Sequence, residues 1–270
     1  NTEDLAKFST SQIAALNASA IAGVDTTKIA AIDSTQVAGL TASQLKALTS
    51  GQLSNLKSEQ LVNLTTTQLS AFTASQINNI GADALDKLAA TSTAKFASLN
   101  AAQLAGLNTA EIKKLDTDTI KLLNASQVSG LNTAQIAALS DEQIAKVTTT
   151  ALASFTATQL SGIATANLGS MTSDQFKAFN VQSLSGLTTA QMKALGALST
   201  AKLSGFTTSQ IGALSAAQLN AISTGDVKNL SAKQVAAISA AVTPNLSTDT
   251  IKNLSSDQIQ ALTANQVKAL

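Results

Sequence analysis

The sequence predicts an all-α fold: a solenoid, or superhelical coil, of very short capped helices, with one helix per 8-residue repeat and about three, alternatively four, repeats per turn. Three observations predict it. Apolar residues recur from end to end at the fifth and eighth positions of an octad. The fifth is apolar in 32 of 33 octads, Thr243 being the exception, and the eighth in all 33. The first position is Ser, Thr, Asn or Asp in 30 octads, with Lys57, Gly81 and Ala164 the exceptions, and the fourth is Gln or Glu in 20. That pairing is a capping box: the first side chain accepts the amide proton three residues on, and the Gln reaches back to the amide of the cap. Finally, one unbroken helix would rotate its apolar stripe by about 80° per octad and never face a single partner. Apolar spacings of three and five equally clash with the two-residue period of a strand.

The elements follow in chain order. Eleven octads occupy residues 1–88, thirteen occupy 92–195 and nine occupy 199–270, with three-residue inserts at 89–91 and 196–198. The whole is expected to be a single continuous array, 1–270. Thr41-Ala42-Ser43-Gln44-Leu45-Lys46-Ala47-Leu48 is a typical octad. Helices of this length do not hold alone, so the 65 apolar side chains at the fifth and eighth positions must pack on a common axis. The seventh position is Ala, Gly, Ser or Asn in 28 octads, as at Ala47, Gly106 and Gly186, which lets a bend lie close against the next turn. Lys46, Lys113, Lys193, Lys228 and Lys268 mark the sixth position as the solvated face. Gly106 with Gly130, Gly162 with Gly186, and Phe155 with Phe179 each stand three octads apart, which favours three octads per turn over four. At a helix spacing of about 8–10 Å, three per turn gives a rod on the order of 100 Å long.

The irregularities have structural readings. The inserts flank the thirteen-octad block, and each precedes the same tetrapeptide, Ser92-Thr93-Ala94-Lys95 and Ser199-Thr200-Ala201-Lys202. Each insert is expected to lengthen one helix by about a turn; a hinge or a partner contact is the alternative. Pro244 falls late in its octad, where it removes an amide donor, and Val242 is expected to replace Thr243 in the core. Sequons at Asn17, Asn63, Asn124, Asn229, Asn245 and Asn253 arise wherever Asn stands beside a Ser/Thr cap. Asp116-Thr117-Asp118 lacks the ligand density of a calcium loop and reads as solvated surface. Lys113 and Lys114 read as two exposed cations. The Gln column at Gln36, Gln44, Gln52, Gln60, Gln68 and Gln76 could form ladders or bind a partner, but local capping already explains it.

Composition removes most chemistry. His, Cys, Trp, Tyr and Arg are absent, one Pro is present, and charged residues make up 12%. There is no imidazole base, no thiolate, and none of the nitrogen or sulfur ligands of zinc, copper, haem or iron–sulfur sites. No catalytic, cofactor-binding or metal-binding residue is therefore assigned, and an enzyme working with carboxylates alone is the least favoured reading. Seventeen Lys are scattered singly against 16 acidic residues, and the seven Phe all fall at core positions, so neither a nucleic-acid footprint nor stacking platforms are present. The longest apolar runs are too short to span a membrane.

The Leu-Thr-X-X-Gln-Ile/Leu-X-X-Leu pattern, at residues 40–48, 131–139 and 262–270, resembles low-complexity octad repeat regions of very large bacterial secreted or cell-surface proteins of the adhesin or matrix type. The resemblance implies extracellular or cell-surface display in a stalk, matrix or filament. On the residues themselves, the leading expectation is a non-enzymatic structural element, an elongated rod that spaces, stiffens or self-associates end to end. The alternative is a binding module presenting a repetitive Thr/Gln/Lys face to a protein, a glycan or an ice surface. Thr interchanges freely with Ser, Asn and Asp at the first position, which a lattice-matching ligand would tolerate poorly. The array begins at a cap and stops at a core Leu, as a section of a longer protein would.

Overall fold

In the computed structural model the chain is all-helical, with no strand among the described residues, 3–198, 200–222 and 226–270; the side chains of residues 3, 4, 200 and 201 are outside the description. One helical segment falls in each octad, from Glu3–Ala6 to Ala264–Ala269. The octad Thr41–Leu48 shows why. Thr41 is extended and its hydroxyl accepts the Gln44 N–H, while Gln44 Oε1 accepts the Thr41 N–H at 2.7 Å. The helix then runs Ala42–Ala47, and Leu48 returns to extended geometry. Leu48 and the next cap, Thr49, are both non-helical and bend the chain, and most repeats bend at the same place.

The backbone falls into two compact units, Asn1–Ala138 and Leu139–Leu270, and the octad register of the sequence runs on across the boundary. Within the first, helix Ala18–Ala22 packs on Ala42–Ala47, and Ala101–Ala105 on Ala125–Ser129. Within the second, Ala157–Ser161 packs on Gln182–Gly186, and Thr208–Gly212 on Ala232–Ala236. Each partner lies three octads away. The Phe155 and Phe179 rings, at the same spacing, meet at 6.1 Å between centroids. Fifth- and eighth-position side chains fill both cores, with Ile13, Leu45, Phe96, Leu160 and Phe176 among those almost wholly buried.

At some seventh positions a small residue is a steric requirement. A Cβ on Gly130 would stand 2.6 Å from the Ala101 carbonyl oxygen, three octads earlier; Gly106 meets Ala74, and Gly186 meets Ala157, in the same way. The sixth-position lysines named above are all exposed.

The inserts lengthen helices, as expected. Ala82–Thr91 and Thr189–Ala197 are the longest helices among the described residues, the first extended through its insert and the second into it as far as Ala197. Ser199, which opens the second of the two tetrapeptides, lies outside the described residues. The four 3-10 segments among the described residues, Thr165–Ser170, Gln182–Gly186, Val227–Asn229 and Thr243–Asn245, lie in octads whose fourth residue is not Gln, although other such octads, as at Ala18–Ala22 and Thr109–Lys114, are α-helical.

Two expectations need correction. Val242 does not take the core place of Thr243: Thr243 is itself buried, at 3% exposure, with its hydroxyl donating to the Ser239 carbonyl at 3.1 Å. Pro244 sits in the first turn of the 3-10 segment, where no amide donor is required, so the octad keeps its register. Phe8, unlike the other six Phe, is not a core residue but is 37% exposed.

Candidate functional site

The chemistry of this chain is concentrated in a seam of buried glutamines between successive turns. Gln at the fourth position is the third residue of its helix, and its side chain lies inward. Its Oε1 accepts the cap N–H of its own octad. Its Nε2, which local capping leaves unused, donates to main-chain carbonyls of the turn before. Gln44 donates to Ile13 and Leu16 (both 2.7 Å), and Gln135 to Leu104 and Leu107 (3.1 and 2.7 Å). In at least sixteen octads of the described residues the amide reaches the eighth-position carbonyl of the octad four earlier. One Gln thus closes a cap within its own turn and joins that turn to the one before, and no side-chain polar atom buried in the described residues is left without a partner. The local-capping reading of the Gln column therefore accounts for only half of its bonds. Helices pack three octads apart while their Gln side chains bond four octads apart, so the coil holds between three and four octads per turn.

The inserts are absorbed by the same seam. Across them the bonds lengthen by three residues, as Gln103 to Leu69 and Phe72, and Gln210 to Phe176 and Phe179. Lys replaces Gln in the octad after each insert. Because helix Ala82–Thr91 ends directly at Ser92, the Ser92 N–H already bonds the Leu88 carbonyl at 2.9 Å and needs no side-chain acceptor. A pure donor suffices, and Lys95 Nζ reaches the Val62 carbonyl at 2.6 Å. Lys202 Nζ likewise donates to the Met171 carbonyl.

Where the fourth residue is Glu or Thr, its partner changes as well. Asn108, Asp116 and Ser247 begin those three octads, and their cap N–H groups find acceptors at the sixth position of the octad four earlier. Asn78 Oδ1 takes the first (2.8 Å), the Asp86 carboxylate the second (3.1 Å) and Asn220 Oδ1 the third (2.8 Å). Asn or Asp occupies the sixth position only at these three places in the sequence. Asn220 also accepts from the Thr250 hydroxyl at 3.0 Å and donates to the Asn245 carbonyl at 3.0 Å. Asn220→Ala is expected to cost on the order of 1–3 kcal/mol, since it leaves the Ser247 N–H and the Asn245 carbonyl without these bonds. Adding Thr250→Gln should recover most of that, because the new amide can cap Ser247 and reach Leu219 and Ile222; additive losses in urea denaturation would refute the exchange.

Glu111 has no proton to give a carbonyl, and it turns to a different group. Gly81, with φ of 85°, ends one helix and starts the next, but has no side chain to cap it. Glu111 Oε2 accepts the adjacent Ala82 N–H at 2.8 Å, and Oε1 pairs with Lys114 at 2.9 Å. Burial pushes the Glu111 carboxyl up, but the Lys114 and Ala82 bonds outweigh it and hold the group below the usual range. Lys114 is thus engaged, although exposed. Asp86 moves the other way: burial raises its carboxyl, the Thr119 and Asp116 hydrogen bonds oppose this, and the neighbouring Asp116 and Asp83 charges add to the rise. Its ionised form is therefore less favourable in the fold than in the unfolded chain. Asp86→Asn keeps an acceptor for Asp116 and is expected to raise the melting temperature at pH 7. That gain should fade as the pH falls and Asp86 itself protonates; a gain independent of pH would contradict the burial account.

The other residues singled out in the sequence are placed without a ligand-like grouping. Asp116 and Asp118 are exposed surface, and the side chains of Asn17 and Asn124 cap helices, accepting the N–H of Ala20 and Gln127. No helix among the described residues is long and apolar enough to cross a membrane. Three stretches, residues 112–149, 194–224 and 245–270, match the model of the ALTTAQ repeat, so these regions are similar to that repeat family. Together they cover less than half of the chain. No curated protein matches the chain.

Proposed function

We propose that this chain is a non-enzymatic structural repeat whose turns stack into an elongated element, a stalk, filament or matrix component at the cell surface or outside a bacterial cell. The supporting observation is the seam. Its buried Gln side chains are committed to joining one turn to the next, and the binding atoms of the repeat are spent on its own continuation. Stability in such a stack is a sum of near-neighbour terms, so length can change without redesign of the fold. The extracellular setting rests on the likeness to repeat regions of secreted and surface proteins.

Small-angle scattering of the intact chain tests the reading. A stack should give a radius of gyration well above the roughly 18 Å of a compact domain of 270 residues. A value near that figure would sink it.

A further inference from the structure

Octad chemistry explains why the chain contains Asn-X-Ser/Thr sequons, and the structure separates them into two kinds. Asn63, Asn229, Asn245 and Asn253 stand at the seventh position, so the bend between octads runs through each sequon. The middle residue is then the eighth-position Leu, buried at Leu64 and Leu230 and half-buried at Leu246 and Leu254. The hydroxyl belongs to the cap of the next helix, where Thr65, Ser231, Ser247 and Ser255 each accept the N–H three residues on. Two of these asparagines have also committed the side-chain amide. Asn63 Nδ2 donates to Ser34 Oγ at 2.9 Å, and Asn253 Nδ2 donates to the Asp249 carbonyl at 2.8 Å.

Asn17 and Asn124 are the other kind. Each is an exposed cap in extended geometry, followed by Ala and then by an exposed Ser already inside the helix. Asn100, Asn108, Asn132 and Asn180 also stand at first positions, but the residue two places on is Ala or Gln. The cap uses only half of the side chain. Oδ1 accepts the Ala20 N–H at 2.7 Å in the first and the Gln127 N–H at 3.0 Å in the second. Nδ2 donates to nothing among the described residues. At Asn17 the Ser19 hydroxyl also donates to Oδ1, at 2.7 Å. Hydrogen bonds to Oδ1 polarise the amide and make its N–H easier to deprotonate.

We propose that Asn17 and Asn124 are modification sites, acceptors of an N-linked sugar from a donor that carries the sugar on a diphosphate. Nδ2 bonds to the anomeric carbon, the bond from that carbon to the phosphate oxygen breaks, and the diphosphate leaves with the electron pair. A base of the transferase takes one Nδ2 proton. Oδ1 is untouched, so the helix cap survives the reaction. The sugar adds hydration to a chain whose net charge of +1 and 12% charged residues supply little of it. The inference stands apart from the stacked role proposed above.

Peptide mass spectrometry of the intact chain, isolated from the cells that make it, provides the test. Sugar is expected on Asn17 and Asn124, with occupancy about tenfold or more above that of any seventh-position sequon, which can react only after its bend opens against the cap bond and the packed Leu. A single hexose marks a nucleotide-linked donor, and a preassembled oligosaccharide marks a lipid-linked one; either supports the assignment. Ser126→Ala leaves the cap intact and should clear Asn124 while Asn17 stays occupied. Bare Asn17 and Asn124, equal occupancy of the seventh-position sequons, or a Ser126→Ala chain that keeps the sugar on Asn124 would each overturn the proposal.

Discussion

Gln135→Leu is expected to destabilise the unit Asn1–Ala138 by roughly 3–5 kcal/mol, a large effect for one neutral side chain of unchanged bulk. Gln135 is 1% exposed, and its two polar atoms satisfy groups in two turns. Oε1 accepts the Asn132 N–H at 2.8 Å, and Nε2 donates to Leu104, Ala105 and Leu107 at 3.1, 3.2 and 2.7 Å. Leu fills the space and returns none of these bonds, so a buried amide and the facing carbonyls lose partners at once. A change of apolar volume alone would predict no such loss. Gln135→Glu separates the two halves of the role. Its carboxylate still caps Asn132, but faces carbonyl oxygens with no proton to offer, so burial should hold its carboxyl above the usual range. Protonation then relieves the repulsion, and stability should rise as the pH falls through the raised pKa. Urea denaturation at neutral and acid pH measures both variants. A loss below about 1 kcal/mol for Gln135→Leu would show that the seam bonds are replaceable by water and not structural.

Much of the fold is legible in the sequence because octad, cap and core are local. Thr41, Gln44, Leu45 and Leu48 state a helix start, a buried face and a bend within one octad, and the structure repeats them. What joins one turn to the next is less legible, since it depends on the pitch. The sequence shows that Gln44 can cap Thr41 without showing that its amide stands under Ile13 and Leu16. The three-octad coincidence of Phe155 and Phe179 reports helix packing correctly, but it is silent on the longer reach of the Gln amides. The exchange between Asn220 and Thr250 was available as a pattern all along: Asn or Asp at the sixth position is rare and is always followed, four octads later, by Thr or Glu at the fourth. It becomes visible only once the turn length is known. Thr243 misled for a similar reason. A hydroxyl looks foreign to a core until the nearby Ser239 carbonyl is there to accept it.

Gly186→Ala is the second substitution expected to have a large effect, because the chain has no spare distance at that point. A Cβ there would run into the carbonyl and Cα of Ala157, main-chain atoms held by the helix Ala157–Ser161, where a flexible side chain could have moved aside. The turns must separate locally or the bend must rotate. Overpacking of this kind costs about 1–3 kcal/mol, and opening the adjacent seam bonds of Gln191 to Leu160 and Ile163 (2.9 and 2.7 Å) adds to it. Gly23→Ala is the matched control. Gly23 has ordinary helical geometry, with φ of −84°, and a Cβ there would meet nothing closer than 3.5 Å. Removing its freedom in the unfolded chain should stabilise by about 0.4–1 kcal/mol. The same chemical change, made at two seventh positions of one repeat, should thus act with opposite signs. Thermal melts of the two variants decide it: if Gly186→Ala is as harmless as Gly23→Ala, the close approach of turns does not limit the repeat. A marked loss at Gly186 alone would make the spacing between turns, and with it the preference for Ala, Gly, Ser and Asn at the seventh position, a requirement of stacking and not of helix formation.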